Sequence, residues 1–99
     1  MKKIFNNLNE LELFFKEEQD FIFNLMFHKL EEAIQNNMDE ILVIETFCKD
    51  VFLNLNITCK KEDFYNIFEK LEEYFKNIED YEKCVKLVEY QELYRRGTL

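Results

Sequence analysis

The sequence predicts an all-α fold, a compact bundle of about four helices ending in an antiparallel helical hairpin, and three observations predict it. The chain has no Pro, no Ser and one Gly, Gly97, so the residues that usually build tight turns are nearly absent. Apolar residues recur at spacings of three and four along most of its length. Its 34 % charged residues stand beside 47 % hydrophobic ones, too apolar a mixture for intrinsic disorder. Ninety-nine residues suit one domain, 1–99, which should bury roughly 65 % of the surface its unfolded chain exposes.

The first helix is predicted from about Leu8, with Asn7 as N-cap and Glu10 three residues on, through Leu11, Phe14 and Phe15. KEEQD, residues 16–20, either bends this helix or separates it from the next. The second runs from Asp20 to about Gln35 and opens with DFIFNLMFHKL, seven large apolar residues in eleven positions. Projected at about 100° per residue, Ile22, Phe23, Met26, Phe27, Leu30, Ala33 and Ile34 form one core stripe. Phe21 and Leu25 fall outside it, next to Glu32. They are expected to pack under the N-terminal segment, with Phe21 partly open, or else to form an exposed apolar pair rimmed by acids. Asn36-Asn37 mark a turn.

A third helix is predicted from Asp39 to about Leu55. Ile41, Ile44, Cys48, Val51, Phe52 and Leu55 share one of its faces, and Glu45, Thr46, Lys49 and Asp50 the other. The competing reading makes the protein α+β, with a β-hairpin at 41–58 turning at Lys49-Asp50, because VFLNLNIT alternates over Val51, Leu53, Leu55 and Ile57. The C-terminal hairpin follows. Phe64, Ile67, Phe68, Leu71, Tyr74, Phe75 and Ile78 give its first helix, and a polar turn at Glu79-Asp80 leads into Tyr81, Cys84, Val85, Leu87 and Val88. Asp80 caps this last helix, Arg95 and Arg96 offset its dipole, and Gly97 is its left-handed stop.

Within that hairpin, LEEYFKNIEDYEKCVKLVEYQEL, residues 71–93, resembles the UVR motif, a two-helix hairpin of excision-repair and kinase-activator proteins. The matching positions are Leu71, Glu79, Asp80, Tyr81, Glu82, Cys84, Val85 and Leu87. The motif has alanines where Cys84 and Val85 stand, and an Arg-Asp pair where Val88 and Glu89 stand. The resemblance implies a hairpin that mediates protein–protein contact.

Function classes can be weighed from the residue inventory. No serine nucleophile and no Gly-rich phosphate loop exist, so the chain reads as a non-enzyme. A carboxylate-bridged di-iron bundle needs two Glu-x-x-His motifs, which one histidine, His28, cannot supply. Cys48, Cys59 and Cys84 show no CxxC spacing and read as reduced apolar residues of a cytoplasmic protein. No cofactor, metal or membrane span is expected, the longest aliphatic run being Ile41 to Ile44.

The net charge is −8, with −6 in residues 1–50 and −2 in 51–99. Direct nucleic-acid binding is disfavoured, since affinity for phosphates comes from Lys and Arg. The expected partner is another protein with a basic surface, met by Glu17, Glu18, Asp20, Phe21, Leu25 and Glu32. In size and acidity the chain resembles small inhibitors made by phages and mobile elements, anti-CRISPR proteins among them, and bacteriocin immunity proteins. The alternatives are a self-assembling structural or adaptor subunit, including a homodimer, and a nucleic-acid mimic.

Overall fold

The computed structural model describes residues 2–96, and their fold is α+β. In chain order the elements are β1 (Lys2–Phe5), α1 (Leu8–Glu17), α2 (Gln19–Gln35), β2 (Glu40–Cys48), β3 (Leu53–Lys60), a single 3-10 turn (Lys61–Asp63), α3 (Phe64–Asn77) and α4 (Tyr81–Arg95). The all-α expectation is thus overturned. Four helices are present, but residues 40–60 form a hairpin instead of a helix, and the N-terminus supplies a further strand. The α+β alternative is the correct one for this segment.

The sheet order is β1-β2-β3, with β1 parallel and β3 antiparallel to the central β2. A parallel pair needs a long crossover, which α1 and α2 provide between β1 and β2. Asn7 caps α1 by accepting the Glu10 N–H at 3.0 Å, while the Glu10 carboxylate accepts the Asn6 N–H at 2.8 Å. This is a capping box reaching one residue further back than usual. The break between α1 and α2 falls at Glu18, within the KEEQD stretch. Asn37, at φ 52°, ends α2 in the left-handed conformation that Asn tolerates.

The misassignment of 39–55 has a physical origin in a β-bulge. Leu42 pairs with Thr58 and Ile44 with Ile57, which leaves Val43 as the extra residue. The bulge resets the alternation, so that Ile41, Val43, Ile44, Thr46 and Cys48 are all buried. Three of them, 41, 44 and 48, then repeat at intervals of three and four as a helix would. The other residues assigned to that helical face are not core at all: Val51, Phe52 and Leu55 are exposed on the hairpin.

Helices cover one face of the sheet. Leu30, Val43, Ile44, Phe68, Leu71, Phe75 and Leu87, from α2, β2, α3 and α4, are all fully buried in one cluster. Each such side chain contributes about 1.5–3 kcal/mol relative to leaving it in water. In α3 the buried set Phe64, Ile67, Phe68, Leu71 and Phe75 keeps helical spacing throughout. The opposite face of the sheet is open, and Ile4, Leu42, Asn54, Asn56 and Thr58 lie on it in contact with solvent. Gly97, the expected helix stop, lies outside the described residues.

Candidate functional site

The six residues expected to meet a partner fall into two groups. Glu17, Glu18, Asp20 and Phe21 come together at the elbow between α1 and α2. Glu32 lies eleven residues further along α2, about 16 Å up the helix at 1.5 Å per residue. All four acids are exposed and, among the described residues, none forms an ion pair. Leu25 is half-buried against the core, whereas Phe21 is 39 % exposed. The Phe21 ring sits edge-on to Phe14 at 6.3 Å, and Phe14 in turn meets Phe5 at 5.4 Å. Its surplus apolar area therefore goes mostly into tying α2 to α1 and β1.

A larger apolar surface lies on α4. Its buried side carries Leu87, with Cys84, Tyr90 and Tyr94 packed against the core. Its outer side carries Tyr81, Val85 and Val88 at i, i+4 and i+7, which are 60 %, 58 % and 51 % exposed. Apolar residues on two sides about 120° apart blur the one-sided pattern by which an amphipathic helix is recognised. Glu82 and Glu89 are exposed together along one side of the outer stripe. Glu92 lies at its C-terminal end, 3.7 Å from Arg95 and 3.4 Å from Arg96.

Polar contacts hold α4 in place beneath this stripe. Asp80 accepts the Lys83 backbone N–H at 3.5 Å and the Lys83 ammonium at 2.7 Å. The Lys83 ammonium also lies 5.4 Å from the centre of the Phe75 ring, so a cation–π contact joins the cap to the core. The bond from Lys83 holds the Asp80 carboxyl below its ordinary range. Tyr90 Oη donates to Glu31 Oε2 at 2.6 Å, and Gln91 Nε2 donates to Glu72 Oε2 at 2.8 Å. Burial, followed by the Glu31 contact, pushes the Tyr90 phenol up to about 12. These bonds tie α4 to α2 and α3, leaving its outer face as a rigid surface.

The three cysteines are free, and burial above all raises the pKa of Cys59 and Cys84, which disfavours the reactive thiolate. His28 is exposed, with its ring edge-on to Phe27. The depression between Ala33, Met38, Lys61 and Phe64 measures about 10 Å³, room for roughly one water. Among the described residues no group of three or more His, Cys, Asp or Glu is placed to hold a metal, and no helix is long and apolar enough to cross a membrane.

Sequence reasoning missed the outer stripe of α4, although its signal was present. Tyr81, Val85 and Val88 recur at helical spacing about 120° away from Leu87, so the helix carries more apolar residues than one core stripe can use. Compared with family models, with curated proteins and with solved structures, the chain matches none of them.

Proposed function

We propose that this protein is a non-enzymatic protein-binding module whose contact surface is the outer face of α4. The observation that carries the reading is the exposure of Tyr81, Val85 and Val88 in one line on a helix that is already anchored on its other side. Interfaces combine an apolar, aromatic-bearing centre with a polar rim, and hot spots favour Tyr. Here Tyr81 and the two valines are the centre, and Glu82 and Glu89 are the rim. The partner is a protein with an apolar groove bordered by Lys or Arg. The exposed acids Glu17, Glu18, Asp20 and Glu32 add long-range steering toward such a basic surface. A small acidic protein that covers a basic surface without chemistry of its own is suited to be an inhibitor, the class to which size and charge point. The contact role implied by the UVR-like hairpin falls on the same helix.

The test is a nuclease-treated capture from the native host with the wild type, Val88→Lys and the double variant Glu17→Lys/Glu18→Lys, read by mass spectrometry. A protein held by the wild type, lost with Val88→Lys and still held by the double variant carries the proposal. For that protein, raising salt from ~50 to ~500 mM should slow association more than it speeds dissociation, because rim charges act mainly on encounter. Equal capture by the wild type and Val88→Lys would refute the α4 surface. Displacement of the captured protein by competing DNA or RNA would favour a nucleic-acid mimic instead.

A further inference from the structure

The two edges of the sheet are built differently. β1 has four residues and carries Lys2 and Lys3, the short, charged design that keeps an edge from pairing with other chains. β3 is twice as long, and its one charged residue is Lys60 at the C-terminal end. Its first seven residues lie within VFLNLNITC, residues 51–59, the longest run in the sequence without Asp, Glu, Lys or Arg. Its first four residues, Leu53 to Asn56, are exposed whichever face they lie on. At the turn before it, Phe52 is held at φ 51°, a left-handed conformation unusual for a bulky aromatic, and is 85 % exposed.

We propose that two copies of the chain join through β3, antiparallel and about a two-fold axis at Asn56, to make one continuous six-stranded sheet. This register keeps each face of the strand against the same face of its partner. A two-fold axis through residue 56 sets Leu55 opposite Ile57 and Leu53 opposite Cys59 of the other copy, all on the helix-covered side. Asn54 meets Thr58, and Asn56 meets its own counterpart, on the open side. No pair in this register opposes like charges, although each copy carries −8. At the ends of the paired strands, Lys60 of one copy comes level with Phe52 of the other, a cation beside an exposed ring. The half-exposed Leu53 and Leu55 thereby gain apolar neighbours that their own chain does not provide. Such an interface is isologous, so the assembly closes at two. It uses a surface separate from α4 and goes beyond the binding reading above.

Sedimentation equilibrium of the wild type should show a mass rising with concentration from 12.3 kDa to twice that value and no further. Asn56→Lys places two ammonium groups face to face on the axis, where paired residues are ~4.5–5.5 Å apart. It should raise the dimer dissociation constant at least tenfold while leaving the circular dichroism and urea midpoint of the dilute monomer unchanged. Val88→Lys should dimerise as the wild type does. Under mild oxidation Asn56→Cys should give a covalent dimer whose peptide map joins position 56 of one copy to position 56 of the other. Three results would each overturn the proposal: a single monomer mass from micromolar to millimolar concentration, a dimer indifferent to Asn56→Lys, or growth past two copies.

Discussion

Phe21 offers a direct measure of how the apolar surplus of α2 is used. About three-fifths of it is covered, and Phe14 meets its ring edge-on across the elbow. Truncating a fully buried Phe to Ala costs ~3–5 kcal/mol, so coverage of this extent scales the loss to ~2–3 kcal/mol. Within it the edge-on pair with Phe14 supplies ~0.5–1.5 kcal/mol. In a domain near this size, 2 kcal/mol lowers the melting temperature by roughly 8–16 °C. Urea unfolding of Phe21→Ala followed by far-ultraviolet circular dichroism gives the number. Leu30→Ala, at a position with no exposure, is the reference and should cost ~2.7–5 kcal/mol. A Phe21→Ala midpoint within ~0.5 kcal/mol of wild type would show that the ring supports nothing and return it to the docking candidates. A loss equal to that of Leu30→Ala would show that the elbow closes over it completely.

Three other outcomes are expected. The Tyr90 pKa is raised from an unfolded value near 10 to about 12, so its stabilising effect is complete below about pH 10 and lost as pH rises through 12. Ultraviolet titration should show a phenol step near pH 12 that Tyr90→Phe removes, and a titration curve that keeps this step in Tyr90→Phe would contradict the Glu31 contact. Glu79 closes α3 at φ 63°, so Glu79→Gly should stabilise by about 0.5–1 kcal/mol in urea, and a loss would contradict the left-handed cap. Tyr74 Oη is buried without a hydrogen-bond partner among the described residues, so Tyr74→Phe should raise stability by about 1 kcal/mol; a drop would reveal a partner.

The parts of the fold that were legible in the sequence are those in which one local signal has one meaning. Asn7 with Glu10, the turn at Asn36-Asn37, and the Asp80 cap after the run from Phe64 to Phe75 each combine a terminator with an uninterrupted helical period, and the structure has all of them. The sheet was less legible because its evidence is long-range. β1 is four residues whose partner, Glu45 to Cys48, lies some forty positions away, and nothing in KKIF announces the pairing. In β2 the extra residue at the bulge destroys the period-two pattern that would have named the strand. On α4 the difficulty reverses, since apolar residues on two faces look like a poorly patterned helix until the packing shows which of them the core uses.

The exposed apolar residues have a common logic once the charge distribution is added. A net charge of −8 opposes self-association, and the long uncharged run 51–59, which forms most of β3, is where self-contact meets least resistance. The α4 stripe differs because Glu82 and Glu89 border it. Two such stripes facing each other would bring acids together, whereas a basic partner would pair with them. The same net charge thus separates the two surfaces, assigning the β3 edge, free of acids, to a second copy and the acid-bordered face of α4 to a different protein. If both are used, the two-fold axis at Asn56 presents two α4 faces per assembly, and binding to a target with two sites should exceed the affinity of a single face. An Asn56→Lys monomer that binds an immobilised target as tightly as the wild type would show that the two surfaces act independently.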